Sequence, residues 1–179
     1  MIHPTAIIGK NVKLESGVEV GPYSFIDGNV TIGKNTKIHT SVSIAGNTTI
    51  GENNIIFPFC SIGSIPQDLK YYGEEAYLKI GDSNTFREHC TVNMGTEGGG
   101  FNTIIGNGSL FMTGAHIAHD CIVGNNVIMA NQATLGGHVV IENNAVIGGL
   151  SAIHQFCRIG ELSMICLLYT SPSPRDLRK

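Results

Sequence analysis

Aliphatic residues recur at every sixth position along most of this chain. From the N-terminus they fall at Ile2, Ile8, Leu14, Val20, Ile26, Ile32, Ile38, Ile44, Ile50, Ile56 and Ile62 without a break. The phase returns at Ile80, Phe86 and Val92. It resumes one position later, after a glycine-rich stretch, at Ile105, Phe111, Ile117, Val123, Met129, Leu135, Ile141, Ile147, Ile153, Ile159 and Ile165. Of these 25 hexads all but three begin with Ile, Leu or Val, and the fourth residue on is usually small or β-branched, as at Ala6, Val12, Val18, Ser24, Thr36, Val42 and Thr48. A short repeat of this kind cannot bury its apolar face alone and must stack on copies of itself. The pattern predicts a parallel β-helix, in which short β-segments form the flat sides of a triangular coil. Three hexads close one turn, and successive turns stack at the strand spacing of about 4.8 Å. Glycine and asparagine are expected at the corners, because both tolerate positive φ.

Composition narrows the function classes. The chain has 179 residues, 14% charged, with 23 glycines and a net charge of -3. Three of its eleven basic residues (Arg175, Arg178 and Lys179) sit in the last five positions, so no basic face is available to neutralise phosphates and a nucleic-acid role is excluded. No apolar run of about 18 residues could span a bilayer as a helix. The opening MIHPTAIIGKNV lacks a signal peptide's charged head and apolar run, which points to a cytoplasmic protein. Disulfides are rare in that compartment. Cys60, Cys90, Cys121 and Cys157 each stand four after the apolar residue that opens a hexad, where a thiol serves as a small hydrophobe.

Two stretches leave the register: SIPQDLKYYGEEAYLK, residues 64–79, and TEGGGFNT, residues 96–103. Loops projecting from a rigid solenoid often carry binding residues, and the first combines charge with three tyrosines in a charge-poor chain. Four of the seven histidines gather at His116, His119, His138 and His154. Residues 18 apart stack in such a coil, so His138 lies over Asp120, Gly137 over His119 and Gln155 one turn further on. AHIAHD therefore sets a histidine beside an aspartate at a corner, with a glycine above it leaving a small gap for a reacting atom. Three readings compete: ordinary surface histidines, a transition-metal site, or a general base, His119, oriented or charged by Asp120.

The segments AHIAHDC, GGHV and HQFCRIG, together with QDLKYYGE, resemble the acyl-[acyl-carrier-protein]–UDP-N-acetylglucosamine O-acyltransferase family of lipid A biosynthesis, over residues 2 to 165. The resemblance implies an all-β, left-handed parallel β-helix, a homotrimer with sites between subunits, and no metal or organic cofactor. It implies transfer of an (R)-3-hydroxyacyl group from acyl carrier protein to the 3-hydroxyl of UDP-N-acetylglucosamine. By the same resemblance His119 is the general base, Asp120 its electrostatic partner, and the Gly137 N–H the donor to the thioester oxyanion. Asp68, Lys70, His116, His138, His154 and Gln155 match substrate-binding positions.

Two departures accompany it. After Ile165 the hexads stop, and residues 166–179 (CLLYTSPSPRDLRK) read as a non-family tail, an artefact or a disordered end. The family continues there with further coils and a C-terminal helical region, so the domain is expected at 1–165, truncated. VNMGT, residues 92–96, lacks the basic or histidine residue expected near Asn93 or Met94. Two alternatives stand beside the acyltransferase: a γ-carbonic-anhydrase-like zinc enzyme on the same fold, and an inactive solenoid fragment.

Overall fold

The computed structural model describes residues 1–168. Every hexad position but Ile2 lies in a short β-strand, and Ile2 forms an isolated bridge with Val20. The 24 strands among the described residues, most of two residues, make three parallel sheets of eight. The first runs from Ile7–Ile8 to Ala152–Ile153, the second from Lys13–Leu14 to Arg158–Ile159, and the third from Glu19–Val20 to Met164–Ile165. Within each sheet every strand pairs with the one a full turn on, so that Ile8 stacks on Ile26 and Ile26 on Ile44. The chain is a left-handed parallel β-helix. The right-handed rule for parallel crossovers rests on strands long enough to twist before feeding a helix. Two-residue strands joined by tight corners escape it.

The hexad residues fill the prism. Ile26, Ile32, Ile44, Ile56, Ile62 and Leu135 are fully buried, and Phe86 and Phe111 stack at 4.7 Å on the axis. Cys60, Cys90 and Cys121 are buried beside them as expected, whereas Cys157, near the last coil, is only half-buried. Buried Asn54 and Asn84 join coils by accepting and donating backbone hydrogen bonds.

The corners differ from expectation. Of the seventeen non-glycine residues with positive φ among those described, only four are asparagine; the others include Tyr23, Phe59, Asp120, His138, Leu150 and Phe156. A left-handed L-residue costs about 1–2 kcal/mol. Here the stack offsets it: the N–H of most corner residues donates to a carbonyl one coil below, as His138 does to His119 at 3.0 Å and Phe156 to Gly137 at 3.1 Å.

The off-register stretches are also placed differently. Ser64 pairs with Asn93, Tyr77–Ile80 runs between Asn47–Ile50 and Asn102–Ile105, and the loops proper span 65–76 and 94–101. The corner that follows the last strand, Met164–Ile165, is formed as well: the Leu168 N–H donates to the Gly149 carbonyl at 3.0 Å, in the same left-handed conformation. The remainder of the predicted tail, 169–179, lies outside the described residues. The helical element among the described residues is the 3₁₀ turn Glu97–Gly99, and no helix there is long and apolar enough to cross a membrane.

Candidate active site

Both loops leave the first sheet and enter the second, and so do the corners carrying the histidines. Residues 118–121, 136–139 and 154–157 each connect a first-sheet strand to a second-sheet strand. Five successive coils thus place both insertions and the histidine cluster on one edge of the prism. The loops are clipped together by Glu74, whose carboxylate accepts the Tyr72 N–H at 2.9 Å and the Glu97 N–H at 3.4 Å. Between them opens a cleft of about 450 Å³, walled by Asp68, Lys70, Tyr72, Glu74, Thr96 and His138, with Phe156 at its rim.

His119 and Asp120 lie behind the His138 wall. His119 Nδ1 is 2.8 Å from Asp120 Oδ2, and the aspartate side chain is fully buried while the imidazole is 12% exposed. Asp120 Oδ2 also accepts the Thr96 hydroxyl at 2.6 Å, Oδ1 accepts the Thr96 N–H at 2.8 Å, and the Asp120 N–H donates to Thr103 Oγ1 at 2.8 Å. Burial alone would raise the carboxyl pKa, but the hydrogen bonds from His119 and Thr96 outweigh it and hold Asp120 below the ordinary carboxylate value. Asp120 is therefore an anion that only accepts, so both Thr96 Oγ and His119 Nδ1 must donate to it. Neutral His119 then carries its proton on Nδ1 and a bare lone pair on Nε2.

The gap expected above His119 is not empty. A Cβ on Gly137 would lie 2.5 Å from His119 Cε1 and 2.6 Å from Nε2, so the missing side chain makes room for the imidazole itself. His138 meets the His119 ring edge-on at 5.1 Å and is backed by Phe156, stacked at 4.5 Å. Burial lowers the pKa of His138, as it does that of His116, which adds repulsion from His119.

The other proposed residues distribute unevenly. Asp68 Oδ1 accepts the Lys70 N–H at 3.0 Å, and both residues line the cleft. His116 lies on the first sheet, its Nδ1 2.7 Å from Thr91 Oγ1. His154 and Gln155 are exposed one coil beyond, His154 Nδ1 being 3.1 Å from the Gln155 carbonyl. Asn93 and Met94 are buried, Asn93 Nδ2 donating to the Ile65 carbonyl at 3.1 Å, so neither projects toward solvent. Sequence reasoning assigned no role to Thr96, Glu74 or Phe156. Counting the turns across the insertions, which places both on the AHIAHD edge, is the signal that reveals them.

The same group offers metal ligands. One ligand atom each from His119, Asp120 and His138 lie within 4.8 Å of one another, with His138 Nε2 3.8 Å from Asp120 Oδ2. A divalent ion there would displace the His119–Asp120 hydrogen bond.

One pH effect follows directly. His116 and His138 titrate below their ordinary 6.5, and Asp120 below 3.8. A depressed folded-state pKa contributes stability that is present above the unfolded value and lost as pH falls through the folded one. Thermal melts should lose midpoint on acidification from about pH 6.5, first through the two histidines and again below about pH 4 through Asp120. His138→Gln should flatten the first fall. An unchanged profile in that variant contradicts the assignment.

Comparison with known proteins fits this geometry. The bacterial transferase hexapeptide (six repeats) pattern matches residues 29–64 and 102–137. The chain is 56% identical over 130 residues to the acyl-[acyl-carrier-protein]–UDP-N-acetylglucosamine O-acyltransferase of Trichlorobacter lovleyi, covering 73% of this chain and 50% of that protein. Its counterpart in Neisseria gonorrhoeae is 58% identical over 134 residues, covering 75% and 52%. The chain thus spans about half the length of these curated relatives. Among solved structures, the UDP-N-acetylglucosamine O-acyltransferase of Moraxella catarrhalis superposes with a TM-score of 0.93 at 47% identity, over 94% of this chain and 66% of that one. The UDP-N-acetylglucosamine acyltransferase of Bacteroides fragilis gives 0.93 at 42% identity, over 96% and 67%. Sharing with these proteins both the coil and two fifths or more of its residues, the chain belongs to the UDP-N-acetylglucosamine O-acyltransferase family.

Proposed function

We propose that the protein transfers an (R)-3-hydroxyacyl group from acyl carrier protein to the 3-hydroxyl of UDP-N-acetylglucosamine, the opening step of lipid A biosynthesis, as a cytoplasmic homotrimer. The observation that carries this reading is the His119–Asp120 pair at 2.8 Å, which leaves Nε2 as the free base, its ring edge-on to His138 of the cleft wall. A sugar hydroxyl is a poor nucleophile at neutral pH, and an imidazole is well matched to accept its proton. In this mechanism His119 Nε2 takes the hydroxyl proton as the oxygen attacks the thioester carbon. A C–O bond forms, and the carbonyl becomes an oxyanion facing the Gly137 N–H, which makes no hydrogen bond to another described residue. The C–S bond then breaks, and the proton held on Nε2 passes to the departing thiolate. Asp120, kept anionic by its donors, stabilises the imidazolium between these two transfers. Asp68 and Lys70 hold the acceptor sugar and the acyl hydroxyl from the first loop. His116, His138, His154 and Gln155 contact substrate, the last two from the neighbouring coil.

The acceptor half of the reading is tested by titration calorimetry with UDP-N-acetylglucosamine. The protein should bind it, and Asp68→Ala should weaken binding about tenfold, the loss expected of one hydrogen bond to a charged group. No heat from the wild type, or equal affinity in the variant, contradicts the placement. The zinc-enzyme alternative is not favoured: the similar proteins are acyltransferases, and the third ligand of the cluster is a carboxylate already engaged by Thr96.

A further inference from the structure

Asp120 stands between two histidines. Its Oδ2 is 2.8 Å from His119 Nδ1 and 3.8 Å from His138 Nε2, and a small rotation of the carboxylate would exchange one partner for the other. Either imidazole could then be the charged member of the pair. What prevents the exchange comes from the second loop. Thr96 is 5% exposed and grips both carboxylate oxygens, its N–H on Oδ1 and its hydroxyl on Oδ2. The loop is shaped to deliver that grip: Phe101 N–H closes back on the Thr96 carbonyl at 2.7 Å, and a Cβ on Gly99 would lie 1.9 Å from Asp120 Cγ. The TEGGG segment therefore has to be glycine where it crosses the aspartate and carry a hydroxyl where it holds it.

We infer that Thr96 is a positioning residue that directs Asp120 to His119 in preference to His138, and so fixes which histidine is the base. Both its hydroxyl and its N–H are spent on Asp120, so it acts on the reaction through that carboxylate. It acts by occupying one acceptor site on each carboxylate oxygen of Asp120, so that Oδ2, the oxygen within reach of both histidines, keeps a single site, which His119 Nδ1–H fills. His119 is thereby confined to the tautomer with Nε2 unprotonated. The catalytic consequence rests on the general-base reading of His119, but the tautomer assignment does not.

The test is therefore made on both levels. Nitrogen-15 shifts of the histidine side chains in the wild-type protein above pH 7 should show His119 protonated at Nδ1. Thr96→Val keeps the shape and the backbone N–H but removes the hydroxyl. It should reduce that tautomer to half or less, whereas Thr96→Ser should retain it. In acyl transfer, Thr96→Val should lower kcat roughly 10–100-fold with KM for both substrates unchanged, the loss expected for a reacting group displaced by a fraction of an ångström. Thr96→Ser should restore kcat to within about threefold of wild type, a recovery that a mere packing role would not require. A wild-type His119 protonated at Nε2 overturns the inference without any variant. So does a folded Thr96→Val protein with wild-type tautomer and kcat. If the wild type catalyses no transfer while the tautomer result holds, the reaction assignment falls and the positioning of Asp120 stands.

Discussion

Replacing His119 with alanine should lower acyl transfer roughly 10²–10⁴-fold, the range supplied by a positioned general base. The coil should remain folded. The imidazole projects from a corner into the space a side chain on Gly137 would take and is no part of the aliphatic column inside the prism. Its removal leaves Asp120 with both Thr96 donors, so no buried charge is stranded. The loss should fall on kcat, since in the proposed mechanism Nε2 acts on the hydroxyl proton as the transition state forms and contributes little to ground-state binding. Steady-state kinetics beside a thermal melt separate the two effects. A variant with near-wild-type kcat removes His119 from the mechanism, and one that melts far below wild type makes the residue structural.

Gly137→Ala should be nearly as damaging, though it adds one methyl group and removes no functional group. The new Cβ would lie 2.5 Å from His119 Cε1 and 2.6 Å from its Nε2, well inside contact distance. The imidazole is the part able to move, and moving it stretches its 2.8 Å hydrogen bond to Asp120. Misplacing a reacting group by about 1 Å can cost about 10²-fold, so kcat should fall by that order. Overpacking a tight site costs about 1–3 kcal/mol, so a modest fall in melting temperature should accompany it. Wild-type turnover in this variant would show that the ring has freedom the packing does not suggest.

How much of this was legible beforehand depends on which contacts follow the repeat. The core did, because each aliphatic residue at a sixth position points inward and meets its equivalent one coil away; Ile26, Ile44 and Ile62 show it directly. The column that sets His119 beneath Gly137 and Asp120 beneath His138 followed from the same arithmetic, since no insertion intervenes. Handedness did not follow, because a six-residue period describes a coil and its mirror image equally well. Most corners were unreadable for a different reason. Ser41, His89 and Leu150 adopt positive φ through hydrogen bonds in the stack and not through any preference of their own.

Thr96 shows where the arithmetic breaks. The loops stretch the pairing distance from 18 residues to 30 between Ser61 and Thr91 and to 25 between Thr91 and His116. A threonine 24 residues before Asp120 therefore lands on it without any regular offset. The gap assigned above His119 failed on volume: a glycine in that column does leave space, but the neighbouring imidazole is large enough to fill it.

The most direct test of the account is to incubate the purified protein with (R)-3-hydroxyacyl-carrier protein and UDP-N-acetylglucosamine and analyse the nucleotide sugar by mass spectrometry. The predicted result is UDP-N-acetylglucosamine heavier by one 3-hydroxyacyl group, held at the 3-oxygen as an ester cleaved by hydroxylamine, with free carrier-protein thiol released in equal amount. Folded protein that gives no acylated sugar, or that acylates it equally well with His119 replaced by alanine, would contradict it.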